Sequence, residues 1–270
     1  MYYEEVNTIA INPERIGDNL LFLPVLYSLS KTAGKIYHTV RGISAEVLKN
    51  FIPKNVELIN EERKDMYSVN IYYLGQCWSG KVARNYWSKQ QEALFCFWET
   101  NREIINQSKL VELYYKIPMQ NLLRENLPKF NYTPKRIITI CPDTYIRYNR
   151  IPVEVIKEVC KAYEKVYNVN IVYSDKNKHL YSSLPGNHLI NLTAEELINT
   201  LLNSKVYFGS MTGISHLANI LGVRSLIYCL KTSDIPFFKP LFTHNLTFKI
   251  KYLPMEAEIV HDIDKILLED

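Results

Sequence analysis

The stretch of sequence that most constrains the fold runs over residues 206–229. It begins with an apolar run that reaches Gly209 and Ser210, where a turn is expected, and continues as a helix over 212–221 that Gly222 is expected to end. A second apolar run, 225–229, follows directly and is typical of a buried strand. The pattern predicts a β-turn-α-β unit, the building block of a parallel α/β sheet.

The start of the predicted helix is suited to an anion. Ser210, Thr212 and Gly213 are small residues that leave the first backbone N–H groups of the helix accessible, at the positive end of the helix dipole. His216 lies about one turn further, on the same face as Thr212 and Gly213. A phosphate is the anion that such a helix start binds best, although the same pattern also occurs where a helix only packs against a sheet.

Length and charge limit the class of protein. The chain has 270 residues, 47% hydrophobic and 22% charged, which fits two α/β lobes. Lys and Arg number 32 against 28 Asp and Glu, and both halves, 1–132 and 133–270, carry 16 basic and 14 acidic residues. Neither half has the clustered positive charge of a dedicated nucleic-acid binder.

The cysteines and the apolar segments indicate a cytoplasmic protein. The five cysteines are widely spaced, with no Cys-x-x-Cys pair, and we expect reduced thiols in the core. The first residues lack the pattern of a signal peptide, and no apolar stretch approaches the ~18 residues that cross a bilayer.

Alternation of strand and helix predicts two lobes and a tail. We expect an N-terminal Rossmann-like lobe over 1–132 that contains a helical, Trp-rich segment, and a C-terminal Rossmann-like lobe over 133–250. The remainder, 251–270, is predicted to be a C-terminal helix able to cross back to the first lobe.

Gly17 and Asp18 are predicted to lie between the first strand and the helix that starts at Asn19. Ligands collect at the carboxyl ends of strands in open α/β sheets, so a carboxylate there is a candidate general base. The alternative is that Asp18 caps the following helix.

Two further groups of residues suit a sugar or a phosphate. All three tryptophans fall within 21 residues and alternate with basic side chains, a pattern that suits either stacking on a sugar ring or the packing of a helical subdomain. Arg147 and Arg150 follow a predicted strand, where they are either phosphate ligands or solvated surface residues.

Motifs at both ends of the chain resemble those of the heptosyltransferase-type glycosyltransferases of family 9. The front motif is Arg-Ile-Gly-Asp-Asn-Leu-Leu-Phe-Leu-Pro over 15–24, and the back motif is Gly-Ser-Met-Thr-Gly-Ile-Ser-His-Leu-Ala over 209–218. Residues 137–142, 150–152 and 192–197 also resemble family landmarks, whereas 60–130 have no match. The resemblance implies an α/β fold of GT-B type, in which two Rossmann-like lobes face each other across a cleft.

The resemblance also implies an activity. It is the metal-independent transfer of a sugar, with inversion at the anomeric carbon, from a nucleotide-sugar donor to a saccharide acceptor such as a lipopolysaccharide core or a surface polysaccharide. No cofactor is implied. The family assigns the catalytic base to Asp18 and donor contacts to Thr212, Gly213 and His216, to which we add Ser210, Arg147 and Arg150. The predicted acceptor-side residues are Arg15, Gly17, Trp78, Lys81 and Trp87.

Departures from the family pattern leave the substrates open. Met211 stands where the family usually has Asp, which removes an expected acceptor for the donor sugar and puts heptose in doubt. Asn149 and Ile151 replace a usual Lys and an aromatic residue. The alternatives are a phage-type DNA base glucosyltransferase of the same fold class, a relative that binds the nucleotide sugar without turnover, and a UDP-sugar 2-epimerase.

Overall fold

The computed structural model divides the chain into two compact units, Met1–Pro128 and Lys129–Asp270. The structure describes residues 8–11, 16–31, 35–40, 42–59, 71–73, 127–144, 150–229, 248–252 and 256–268. For the strands at 8–11, 71–73 and 248–252, and for some helix positions including Asp18, it describes the backbone only.

The first unit is a parallel sheet of four described strands with two described helices. Its elements are β1 (Thr8–Ile11), α1 (Ile16–Leu29), β2 (Ile36–Thr39), α2 (Gly42–Leu48), β3 (Val56–Ile59) and β4 (Ile71–Tyr73). The strand order is β3-β2-β1-β4, and every pair is parallel. The chain therefore leaves β1 toward β2 and β3 on one side and returns to its other side with β4.

Helix α1 begins earlier than the sequence pattern predicts. It starts at Ile16, three residues before Asn19, and continues through Pro24, which lies in its interior. Its buried face carries Leu20, Leu23 and Leu26, each 0% exposed. Burial of this face outweighs the backbone hydrogen bond that a proline costs inside a helix.

The second unit is a larger parallel sheet with helices between its strands. Its elements are β5 (Ile137–Cys141), α3 (Val153–Tyr163), β6 (Asn168–Tyr173), α4 (Lys178–Tyr181), β7 (Asn187–Ile190), α5 (Ala194–Leu202), β8 (Val206–Ser210), α6 (Gly213–Ile220), β9 (Ser225–Cys229), β10 (Phe248–Tyr252) and α7 (Glu256–Leu268). The strand order is β10-β9-β8-β5-β6-β7, all parallel. Strands β8 and β9 are buried throughout, as their apolar runs predict.

The β-turn-α-β unit forms with small changes in its boundaries. Gly209 and Ser210 are the last residues of β8, not the turn, which falls at Met211 and Thr212. Gly222 ends α6 as predicted: its φ of 76° is in the left-handed region that glycine adopts without strain. The N–H groups of Gly222 and Val223 bond back to carbonyls of the last helical turn, at 3.1 and 2.9 Å, which satisfies groups that a helix end leaves open.

The boundary between the units falls before the predicted one, at 128/129 rather than 132/133. The hydroxyl of Tyr132 donates to the backbone carbonyls of Ser204 and Lys205, at 2.9 and 3.2 Å, and the N–H of Lys135 donates to Asn203 O at 2.9 Å. These bonds attach the segment before β5 to the second unit.

The tail helix α7 belongs to the second unit rather than forming a separate segment. Its residues Ile259, Ile263 and Ile266 are fully buried in the core of that unit. The Tyr163 hydroxyl of α3 also bonds to Val260 O and Asp264 Oδ1, both at 2.8 Å. Apolar burial and these bonds together hold the helix against α3 and the sheet.

The described cysteines lie in the core, as the sequence analysis predicts. Cys141, Cys160 and Cys229 are buried free thiols, and burial raises the pKa of Cys160 to about 12. Among the helices that the structure describes, none combines the length and the apolar character needed to span a bilayer.

Candidate functional site

The second sheet has a topological switch point between β5 and β8. From these two neighbouring strands the chain proceeds in opposite directions, to β6 and β7 on one side and to β9 and β10 on the other. Cys141, at the end of β5, is paired in register with Gly209. The loops that follow the two strands therefore start side by side, which is where open α/β sheets bind their ligands.

Hydroxyl groups fix the turn after β8. Ser210 Oγ donates to Pro142 O at 2.8 Å and so ties this turn to the loop after β5. Ser215 Oγ donates to Ser210 O at 2.5 Å and accepts from the Thr212 N–H at 3.2 Å. Ser210 is fully buried, and its hydroxyl is occupied by this internal bond. Ser210, which was predicted to contact the nucleotide-sugar donor, therefore holds the turn in place.

The start of α6 offers hydrogen-bond donors to an anion. Thr212 precedes the helix in an extended conformation, and Gly213 is its first residue. The N–H groups of the first helical turn have no carbonyl one turn before them, so Gly213 and Ile214 point theirs toward the turn. Thr212 Oγ1 is buried, and the side chains of Thr212 and Ser215 lie within hydrogen-bonding reach of the Tyr207 phenol. The helix dipole adds partial positive charge at the same end.

Tyr207 packs against the end of the strand that leads into this turn. Its side chain is fully buried, and burial raises the pKa of its phenol well above the ordinary value. The ring lies against Gly209, where a Cβ atom would overlap the phenol carbon and oxygen atoms. Only glycine fits at residue 209 while Tyr207 keeps this position.

His216 is buried and neutral. It is 5% exposed, and burial lowers the pKa of its imidazole to about 4. At neutral pH it therefore brings no positive charge to the start of α6 and acts as a neutral hydrogen-bonding ring.

Arg150 lies at the switch point, in a chain of hydrogen bonds with two residues that the sequence analysis did not identify. Its Nη2 donates to Asn177 Oδ1 at 3.0 Å, and Asn177 Nδ2 donates to Asp143 Oδ2 at 2.8 Å. Asp143 follows Pro142 in the loop after β5, and Asn177 lies in the turn between β6 and α4. The polar residue types at strand ends were the available signal for Asp143, whereas nothing in the local sequence distinguishes Asn177 from other loop asparagines.

The first sheet has its own switch point, between β1 and β4. Gly17 and Asp18 lie in the first turn of α1, which follows β1, and not in the loop before the helix. Gly17 is buried, and the neighbouring Asn19, 1% exposed, has its Oδ1 2.8 Å from Nε2 of His38, which is 0% exposed. This buried pair attaches the first turn of α1 to β2.

Several predicted site residues lie outside the described part of the chain. These are Arg15, Trp78, Lys81, Trp87 and Arg147. The structure thus brings Arg150, Ser210, Thr212, Gly213 and His216 to one sheet edge of the second unit, and Gly17 and Asp18 to the corresponding edge of the first sheet.

Metal ligands are not grouped in the part of the chain that the structure describes. There, no three His, Cys, Asp or Glu side chains lie close enough together to hold an ion. The residues at the switch point instead present hydrogen-bond donors, namely backbone N–H groups at the start of α6 and the Arg150 guanidinium.

Two parallel α/β units, each with a switch point, define the class of fold. It is the GT-B type, and likeness to solved structures confirms this prediction at the level of fold. No protein-family profile and no curated protein matches the chain.

Several solved glycosyltransferase structures align with nearly the whole chain. A glycosyltransferase of family 9 from Veillonella parvula matches with a TM-score of 0.64 and 11% identity over 100% of this chain and 99% of its own. The E. coli heptosyltransferase WaaC with ADP matches at 0.58 and 12%, over 96% and 99% of the two chains. The iron-containing dodecameric glycosyltransferase TibC of E. coli matches at 0.60 and 11%, over 97% and 76%.

Proposed function

We propose that the protein is a glycosyltransferase that moves a sugar from a nucleotide-sugar donor, held by the second unit, to a saccharide acceptor of the lipopolysaccharide or surface-polysaccharide type. The observation that carries the proposal is the turn at 210–213. It joins the switch point of the sheet to the start of α6, and its hydrogen-bond donors suit a diphosphate. WaaC, which shares the fold, was solved with ADP.

The residues in and around this turn define the proposed contacts to the nucleotide-sugar donor. The N–H groups of Gly213 and Ile214, at the start of α6 beside Thr212, bind the diphosphate, and Arg150 with Arg147 completes its neutralisation. The same groups stabilise the negative charge that develops on the leaving diphosphate as the sugar departs. His216, neutral in its buried position, supplies a hydrogen bond rather than a charge.

Asp18 is proposed as the general base. Transfer with inversion needs one group to take the proton from the attacking acceptor hydroxyl, and a carboxylate in the first turn of α1 follows the strand at the switch point of the first sheet. Arg15 and Gly17, with Trp78, Lys81 and Trp87, are proposed to lie on the acceptor side.

The test is a donor panel. Wild type is incubated with UDP-, ADP-, GDP- and CMP-sugars, and thermal shift and slow donor hydrolysis are followed. Thr212→Asp, which places a negative charge at the proposed phosphate, is expected to weaken nucleotide binding more than tenfold, whereas Thr212→Val, which removes only the hydroxyl, has a smaller effect. Equal affinity of wild type and Thr212→Asp would place the donor site elsewhere.

Metal independence is tested separately, because TibC is iron-containing. We propose that the helix start and the arginines replace a cation at the diphosphate, so EDTA leaves turnover unchanged. Activity that EDTA abolishes and magnesium, manganese or iron restores would refute this.

The acceptor is proposed to be a saccharide rather than DNA. Basic and acidic residues are evenly divided between the halves of the chain, which provides no extended surface for a phosphate backbone. Tight duplex binding that falls steeply between low and moderate salt would favour the DNA acceptor instead.

A further inference from the structure

A chain of hydrogen bonds connects Arg150 to Asp143 through Asn177. The Arg150 guanidinium donates to the Asn177 carbonyl oxygen, and the Asn177 amide nitrogen donates to the Asp143 carboxylate. Asp143 Oδ2 also accepts from the N–H of Ser174 at 3.2 Å, which lies at the end of β6. The carboxylate is thus held between the ends of two neighbouring strands.

The charges at the two ends fix the orientation of the Asn177 amide. A carboxylate only accepts hydrogen bonds and a guanidinium only donates them. The amide must therefore turn its nitrogen to Asp143 and its oxygen to Arg150, as observed. Asn177 also precedes α4, but its side chain makes no capping bond to that helix, so capping does not account for it.

Asn177 separates two opposite charges that could otherwise pair. Arg150 makes its bond to a neutral amide, and its Nε is inaccessible to solvent without a hydrogen-bond partner in the described part of the chain. The negative charge of Asp143 also acts on Tyr181. Burial is the main cause of the raised pKa of the Tyr181 phenol, and the charge of Asp143 is the next. The guanidinium is oriented by this carboxylate through the amide and is not neutralised by direct contact with it.

We propose that Asn177 is a positioning residue for the donor diphosphate: its amide holds the Arg150 guanidinium in place, keeps it apart from the Asp143 carboxylate, and so leaves its charge available to the phosphates. The inference depends on the proposed function, because it takes Arg150 as a phosphate ligand. It predicts that the charge at residue 177, and not only its hydrogen bond, controls affinity for phosphate.

The experiment measures the affinity of full-length variants by calorimetry. The probes are ADP, GDP, UDP and CMP; the one that wild type binds most tightly is used throughout, beside its free nucleoside. Asn177→Ala removes the bond to Arg150 and is expected to weaken nucleotide binding about tenfold. Asn177→Asp puts a carboxylate on the guanidinium and is expected to weaken it further, by about a hundredfold. Neither variant should alter nucleoside binding.

Two controls separate this role from a structural one. Asn187→Ala removes another asparagine side-chain bond, to Asn170 Oδ1 at 3.3 Å, on the exposed surface of the same unit and should bind as wild type does. Arg150→Ala should weaken nucleotide binding at least as much as Asn177→Ala. Thermal melting of each variant verifies folding, and equal losses for nucleotide and nucleoside would mean that Asn177 only maintains the loop, which refutes the inference.

The outcomes distinguish the inference from the proposed function. If Arg150→Ala weakens binding while both Asn177 variants match wild type, the inference fails and the donor site stands. If Arg150→Ala also matches wild type, Arg150 is not a phosphate ligand and both that contact and the inference are refuted. If wild type binds none of the probes, the proposed donor site falls with the inference.

Discussion

Gly209 has no space for a side chain in the described structure. Its Cα atom lies against the fully buried Tyr207 phenol, so Gly209→Ala must displace the ring or the strand. We expect a loss of about 1–3 kcal/mol in the free energy of unfolding, measured with urea, since overpacking of a close-packed site costs that much.

A second substitution tests this cause. Tyr207→Leu alone is destabilising because it leaves a cavity, but in combination with Gly209→Ala it removes the overlapping atoms. The double variant should therefore lose less than the sum of the two single losses. Strict additivity would show that the ring is not what excludes a side chain at residue 209.

His216 makes the stability of the protein depend on pH. Its folded-state pKa, about 4, is below the ordinary value of 6.5, so the unfolded chain takes up the proton first as the pH falls. The contribution is complete above pH 6.5 and is lost progressively down to pH 4, by up to about 3 kcal/mol. His216→Gln should flatten urea-unfolding stability across this window; an unchanged slope would assign the pH dependence to other groups.

Asp18 is the residue whose substitution tests the proposed chemistry. Asp18→Asn keeps the size of the side chain and removes its basicity. If Asp18 is the base, turnover falls by roughly two to four powers of ten while donor affinity is retained. Glu46→Gln, which changes an exposed carboxylate on α2 of the same unit, is the matched control and should leave turnover unchanged. Near-normal turnover in Asp18→Asn would show that Asp18 is not the base and contributes only its charge to the first turn of α1.

Helix α5 begins with a capping box, the pattern in which a threonine is followed three residues later by a glutamate. The Thr193 N–H donates to Glu196 Oε2 at 2.8 Å, and Thr193 Oγ1 accepts from the Glu196 N–H at 3.2 Å. Thr193→Ala should cost about 1 kcal/mol in the free energy of unfolding, because a helical N–H loses its partner. Glu195→Gln, in the same turn but outside the cap, is the control; equal losses for the two variants would contradict the role of the cap.

Elements that depend on local chemistry could be predicted from the sequence. The threonine cap of α5, the glycine that ends α6 and the apolar run of β9 all form where expected, because each needs only neighbouring residues. The start of α1 and the last residues of β8 were misplaced, since tertiary packing extends both elements through residues that usually mark turns.

The candidate site was predictable only in part, for the same reason. The start of α6 is local in sequence, and the predicted Thr212 and Gly213 are found there. Asp143 and Asn177 come from different loops, 34 residues apart, and only the order of the strands brings them together. A single sequence contains no periodicity that pairs them.

For the whole molecule, the division into two units predicts that residues 129–270 fold alone. The core of this unit draws on the sheet and on α3 and α7, all within the range, and includes the fully buried Ile138, Phe208 and Ile263. We expect the fragment to unfold cooperatively in a thermal melt and to be stabilised by the nucleoside diphosphate that the full chain binds. A fragment that melts without cooperativity would show that the first unit is needed for the second to fold.

The bond between Ser210 and Pro142 has a consequence for engineering. Pro142 is held by the Ser210 hydroxyl, and Arg150 is held by Asn177, so the chain is anchored just before and just after residues 145–149. Designs that alter donor preference should therefore keep Ser210 and Asn177, because each anchors one described end of the loop after β5. Arg147, proposed above as a phosphate ligand, lies between these ends in the sequence and should be kept with them.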